Sequence, residues 1–279
     1  MRLLQTLFVL LCCTIYGCQS DTSTSVSASI PKSNAVASTV RTVKDSTPDA
    51  ILETPVYPYT LEELIGKFEP AQHPDFVKMD NKYTDRPNLY LRKAAYDSYK
   101  KMHAAAQAAG IKLVIRSAAR NFDYQKGIWE RKWTGKTKID GQDISKTISD
   151  PVTRAQKILL YSSMPGTSRH HWGTDIDLNS FNNEYFESGV GKKVYEWLVE
   201  NAPQYGFCQP YIAKGEDRPN GYEEEKWHWS YLPIAQPLTD LAAAKLKDQM
   251  IQGFKGAATA KEIGVVEKYV LGIADRCRH

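Results

Sequence analysis

Apolar and polar positions divide the 279-residue chain into three stretches of different character. Behind Met1 and Arg2, residues 3–14 form a nearly unbroken apolar run, shorter than the roughly 20 residues a conventional membrane-spanning helix needs. Residues 19–53 carry Ser, Thr, Ala and Val with scattered charges and sustain neither a helical nor a strand period. Such a segment buries too little apolar surface to fold alone, which predicts a disordered tether. From residue 57 onward the pattern is that of a single folded domain.

Within that domain, Thr60-Leu61-Glu62-Glu63 is a capping box that opens a short helix. Ala, Tyr and Met at helical spacing predict a helix over 91–109, stopped at Gly110, and the apolar run 111–115 predicts a buried strand. Further helices are predicted over 122–133, over 152–161 behind Asp150-Pro151, and over 190–201 with Tyr195, Leu198 and Val199 as its apolar stripe. The pattern then predicts a helix over 237–254 and one more within 257–279. Helices alternating with short strands gathered in the second half imply an α+β fold, a small antiparallel sheet with flanking helices, covered on one face.

Two alternating segments carry the candidate chemistry. In the strand predicted over 174–178, Asp175 and Asp177 face one way and Ile176 and Leu178 the other. In Trp227-His228-Trp229-Ser230-Tyr231 the aromatics share one face and His228 shares the other with Ser230, so His228 can meet Asp177 on a neighbouring strand. His170 and Asp177 are an odd number of residues apart and cannot share a face of one unbroken strand. Gly173 supplies the break, which places His170 on a loop or bend. His170, Asp177 and His228 then form a three-ligand set that leaves a coordination position open, the mark of a catalytic zinc (Zn2+) rather than a closed structural one. Glu225, three residues before His228, is the candidate general base, although strand parity demands a local bulge to bring it to the same side.

The pattern Ser-x-His-x-x-Gly-x-x-x-Asp, read from Ser168 to Asp177, and Glu-x-Trp-His, read from Glu225 to His228, resembles the VanY-type D-alanyl-D-alanine carboxypeptidases. These are zinc peptidases of bacterial cell-wall metabolism with an α+β fold shared with the hedgehog signalling domain. The resemblance extends upstream to the segment from Leu113 to Gln125 and downstream through Asn201 to Phe207, spanning roughly residues 58–232. It implies a hedgehog/DD-peptidase-like fold with a zinc cleft. It further implies that Arg120 stabilises the tetrahedral intermediate and that Gln125 lines the substrate cleft. Ser168 either binds the substrate's terminal carboxylate or simply tightens the turn before His170. The spacing to Asp177 together with the family register favours His170 over its neighbour His171 as the ligand. Two positions depart from the family, Asp175 where Ala is usual and Asn121 where Ser is usual, and both are expected to bear on substrate preference.

The resemblance implies hydrolysis of the D-alanyl-D-alanine end of peptidoglycan stem peptides. The alternatives are an L,D-carboxypeptidase or a crosslink-opening endopeptidase of the same chemistry, with Asp175 and the loop 214–221 as the places where the difference would lie, or a non-catalytic wall-binding module that keeps zinc for structure. The presence of both Glu225 and Arg120 argues against the last.

Ile15-Tyr16-Gly17-Cys18 looks like a bacterial lipobox. The expected organisation is therefore a signal peptide over 1–17, a lipid-anchored tether over 18–56 acylated at Cys18, and the zinc peptidase domain over 57–279. An ordinary secretory signal is the alternative, and either way the domain is exported, facing the periplasm or cell wall. Each buried CH₂ of an acyl chain adds about 0.8 kcal/mol, so several chains on one cysteine hold a domain firmly to a membrane. Of the remaining cysteines, Cys208 and Cys277 could pair in an oxidising compartment or stay as buried thiols, and we take them as paired. Removing residues 1–17 deletes only Arg2 and takes the net charge from +4 to +3, too small to imply nucleic-acid binding. The basic run 126–138, interleaved with Trp129 and Trp133, is expected to be a solvated helix face, with a role in holding an anionic wall polymer left open. The domain is expected to act as a monomer.

Overall fold

The computed structural model describes residues 57–278. The expected signal segment, the tether and Cys18 lie outside the described residues. The helices are α1 (Leu61–Leu64), α2 (Lys93–Ala108), α3 (Phe122–Trp133), α4 (Ile144–Thr147), α5 (Pro151–Ile158), α6 (Gly189–Asn201), α7 (Leu232–Lys245) and α8 (Ala260–Ile263). The strands are β1 (Phe76–Lys78), β2 (Tyr90–Arg92), β3 (Ile115–Ser117), β4 (Asp175–Leu178), β5 (Phe207–Cys208) and β6 (His228–Tyr231). β1 and β2 pair antiparallel, and the other four form an antiparallel sheet in the order β3-β4-β6-β5. The fold is thus α+β with small antiparallel sheets and flanking helices.

Several boundaries follow from local chemistry. The Thr60 side chain caps α1 while Glu63 reaches back to the Thr60 N–H, completing the capping box. Asn121 caps α3 by accepting from the Tyr124 N–H at 2.8 Å, and Asp150 caps α5 by accepting from Thr153 at 2.7 Å with Pro151 behind it.

Other expectations need correcting. The helix predicted from residue 91 begins at Lys93, because Tyr90, Leu91 and Arg92 are drawn into a strand opposite Lys78, Val77 and Phe76. The strand predicted over 111–115 lies instead at Ile115–Ser117. The Asn179 side chain takes the sheet's place one step earlier, accepting from the Val114 N–H at 3.0 Å and donating to the Lys112 carbonyl at 2.7 Å. In α6 the buried stripe is Gly191, Val194 and Leu198, and Val199 is exposed. The helix predicted over 237–254 starts at Leu232 and stops at Lys245, with Pro233 in its first turn and Pro237 inside it. The last predicted helix breaks into short turns, two of them bounded by Gly256 and Gly264 in the left-handed region. The Cys208–Cys277 disulfide, 69 residues apart in sequence, returns this tail to β5. A crosslink of that reach typically contributes about 2–4 kcal/mol, largely by restricting the unfolded chain.

The sheet divides the interior. Ile176, Leu178 and Trp229 pack with Tyr96, Tyr99 and Met102 of α2 and Val194 and Leu198 of α6. A second cluster gathers Trp129, Ile158, Trp172, Leu238, Leu241 and Val266. The polar faces of β4 and β6 carry Asp175, Asp177, His228 and Ser230. No helix among the described residues is long and apolar enough to cross a membrane.

Candidate metal centre and active-site cleft

Register alone brings the first two groups together, since Asp177 on β4 sits directly opposite His228 on β6. His170 arrives from the 3-10 turn Arg169–Trp172, which Gly173 terminates at φ +68°. A side chain at Gly173 would be strained there, and its Cβ would collide with the Phe76 ring. Arg92 holds the same turn from outside. Its backbone N–H donates to Gly173 O and its Nε to Trp172 O, both at 2.9 Å, while its guanidinium pairs with Glu63 and Asp75 at 2.8 Å.

The hydrogen bonds behind each ring decide what faces inward. His170 Nδ1 donates to Ala118 O at 2.9 Å, which leaves Nε2 as a lone pair 3.2 Å from Asp177 Oδ2. His228 Nε2 donates to Asp175 Oδ1 at 2.8 Å, leaving Nδ1 3.3 Å from Asp177 Oδ1 and 3.2 Å from Glu225 Oε2. A ring lone pair and an ionised carboxylate face each other at such distances only with a cation between them, a proton or a metal ion. Asp177 Oδ1 has no hydrogen-bond partner, and the donor atoms of His170, Asp177 and His228 lie within 4.8 Å of one another. The His₂Asp donor set therefore fits a metal ion with an open position.

Electrostatics agrees with this crowding. Burial would raise the Asp177 carboxyl, but the His170 and His228 rings hold it far below the ordinary carboxylate range. Burial would lower His228, yet the carboxylates of Asp175, Asp177 and Glu225 around its ring push it well above its usual value. Burial itself raises Glu225, with the His228 ring pulling it back.

Glu225 reaches this group by a turn and not by a bulge. β6 begins only at His228, whose N–H donates to Glu225 O at 3.2 Å, so strand parity no longer applies to residue 225. Arg120, Gln125 and Ser168 line the same cleft, about 530 Å³ in volume. Arg120 Nε, Gln125 Oε1 and Ser168 Oγ are buried without partners, while Gln125 Nε2 donates to Ser163 O at 2.8 Å. Ser168 makes no side-chain cap bond, so turn-tightening is not what its hydroxyl does.

His171 points away. Its Nδ1 lies 2.7 Å from Arg120 O, its Nε2 accepts from the Gly166 N–H at 3.0 Å, and burial lowers its pKa to about 3. It braces the backbone that carries Arg120.

Neither of the places expected to set specificity lies in the cleft walls. Asp175 does not reach the cleft. It is fully buried behind His228, pairing with Arg169 Nε at 3.2 Å and accepting from Ser230 Oγ at 2.9 Å. Its carboxylate orients the His228 ring. The loop 214–221 is absent from the cleft walls because it folds about Arg218, which donates to the carbonyls of Ile212, Asn220 and Tyr222. The walls instead include Lys132, Tyr161, Asn183, Tyr211, Tyr222 and Trp227, none of them singled out by sequence reasoning as site residues. Tyr211 packs edge-on against His228 with ring centroids 4.7 Å apart. For Lys132 a signal existed: Gln125, Ile128 and Lys132 follow helical spacing along one face of α3.

A buried carboxylate beside two histidines and an aspartate, with a guanidinium in the same cleft, makes this an α+β protein built around a candidate metal centre. Comparison of the sequence gives its family. The chain belongs to the VanY family, described as D-alanyl-D-alanine carboxypeptidase, whose model matches residues 88–234. YodJ of Bacillus subtilis (strain 168), which is named as a carboxypeptidase, is 30% identical over 177 residues, covering 61% of this chain and 56% of that one. A D-alanyl-D-alanine carboxypeptidase of Enterococcus faecalis (strain ATCC 700802 / V583) is 28% identical over 130 residues, covering 47% and 44%. The chain thus spans about half the length of these curated relatives. Among solved structures, a vancomycin-resistance D,D-pentapeptidase VanY in complex with Zn(II) aligns at TM-score 0.45 and 22% identity, covering 68% of this chain and 92% of that one. The LdcB LD-carboxypeptidase aligns at TM-score 0.45 and 23% identity, covering 73% and 81%.

Proposed function

We propose that the protein is a zinc-dependent D,D-carboxypeptidase that removes the terminal D-alanine from peptidoglycan stem peptides. The observation that carries this is the inward-facing set of His170, Asp177 and His228 with Glu225 beside it, in a chain of the VanY family. His170 Nε2, Asp177 and His228 Nδ1 would hold the zinc, which supplies Lewis acidity toward the scissile carbonyl and a lowered pKa for the attacking water. Glu225 takes that water's proton and returns it to the leaving amine, and burial keeps its carboxyl basic enough to do so. Arg120 meets the negative charge that grows on the carbonyl oxygen. Gln125 and Ser168, with polar atoms free in the cleft, bind the substrate's peptide and carboxylate groups.

The reaction is tested by mass spectrometry of muropeptides. A stem ending in D-alanyl-D-alanine should lose one alanine, and a tetrapeptide stem should persist. Cleavage confined to the tetrapeptide would replace the D,D assignment by an L,D one, and opening of crosslinked dimers would make the protein an endopeptidase.

The proposed location is a bacterial membrane surface, facing the periplasm or wall, through acylation of Cys18. Cys18→Ala in a bacterial host should yield unprocessed or soluble protein in place of an acylated membrane form. Identical fractionation of variant and wild type, with no acyl mass on either, would leave a plain secretory signal.

A further inference from the structure

Lys132 breaks the pattern of the basic run to which it belongs. Arg131, Lys136 and Lys138 are exposed, whereas Lys132 is half-buried and turns into the cleft. Its ammonium donates to the Ser162 hydroxyl. The lysines engaged in ion pairs among the described residues do not include it. Withdrawing an ammonium from water without a counter-charge is costly unless something else compensates. A lysine carries three N–H donors, so Ser162 leaves donors available to the cleft.

The other cations of the cleft wall have assignments. Arg169 is tied to Asp175, Ser230 and Thr239. Arg120 stands at the reacting carbonyl in the proposed mechanism. Glu225 attracts the lysine through space, and with a divalent cation bound the charges of Asp177 and Glu225 would be balanced, which leaves the lysine's charge facing open cleft.

We propose that Lys132, seated on Ser162, is a receptor for a carboxylate of the substrate. The inference rests on the peptidase reading and specifies the substrate class further, as a peptide anionic near the scissile bond. That carboxylate is either the free C-terminus or an acidic side chain on the acyl side, and both present the same group to the ammonium.

The test pairs wild type with Lys132→Met and Lys132→Arg on a D-alanyl-D-alanine-ended pentapeptide whose third residue is a diamino acid with a free side-chain carboxylate. Two further substrates carry an amide at the C-terminus or on that side chain. A hydrogen bond to a charged group is typically worth about 10–100-fold in binding. Lys132→Met should therefore raise KM for the doubly free acid by about that factor with kcat changed only a few-fold, and Lys132→Arg should restore part of the loss. The amide against which Lys132→Met no longer discriminates identifies which carboxylate is held. Unchanged discrimination against both amides would overturn the inference. So would an equal fall in kcat on every substrate with a lowered Tm, since that marks Lys132 as a brace for Ser162 alone. Calorimetric titration of the zinc-loaded protein with the same peptides separates the two readings. Acid-selective binding without cleavage would sink the peptidase and keep the receptor, and no acid selectivity in binding or turnover would end the receptor.

Discussion

His170→Ala and His228→Ala should each abolish stoichiometric zinc binding, while His171→Ala should retain it. Replacing groups that merely orient a metal-bound histidine costs about 10–100-fold in affinity, so deleting a ligand outright should cost well beyond that. His171 offers the control because it neighbours His170 in sequence and yet spends both ring nitrogens on Arg120 O and the Gly166 N–H. Its loss should lower stability by about 2–4 kcal/mol, the scale of an emptied buried site with two broken hydrogen bonds, without releasing metal. The binding should also depend on pH with a defined sign. His228 has a pKa raised well above its usual value in the metal-free protein, so a metal must displace its proton. Affinity should therefore fall as pH falls through that pKa and rise above it. Metal content of each variant, by elemental analysis beside circular dichroism for fold, checks the set. Zinc retained by His170→Ala would shift the ligand register.

Glu225→Gln should keep the fold and the zinc while kcat falls by about 10²–10⁴, the range for a positioned general base. The substitution preserves volume and a polar contact to His228, 3.2 Å away, and removes only the ability to accept the water's proton. KM should change little. Arg120→Ala should lower kcat by about 10²–10³, as removal of one oxyanion donor does. Turnover of Glu225→Gln at the wild-type rate would remove residue 225 from the chemistry.

The parts of this site legible in the sequence are those set by short-range rules. Strand alternation is a two-residue period, and it is enough to put Asp177 and His228 on the same sheet face, where the β4–β6 register seats them opposite each other. The cap at Asp150, with Pro151 behind it, likewise marks where α5 begins. What alternation does not reveal is where a strand stops. Glu225 needs a bulge only if β6 runs on through Trp227, and the turn at 225–228 dissolves the difficulty. Long-range side-chain contacts are equally hidden. Asn179 replaces a stretch of the β3 ladder, Arg92 ends a strand by gripping the turn at Gly173, and Asp175 is tied up by Arg169 and Ser230. Most of these partners lie scores of positions away in the chain. Asp175 also shows why a departure from a family pattern need not mark specificity. On the same strand face as Asp177, it lies two residues further along β4, opposite Ser230, and touches the ligand ring from behind.

The most direct single measurement follows D-alanine release by mass from a stem peptide ending in D-alanyl-D-alanine, using the purified protein as isolated, after chelation, and after return of one equivalent of zinc. A metal centre of His170, Asp177 and His228 driving a D,D-carboxypeptidase predicts one D-alanine lost per stem, no release after chelation, and recovery on zinc addition. Release that persists undiminished in fully metal-free protein, or its absence from zinc-loaded folded protein, would contradict it.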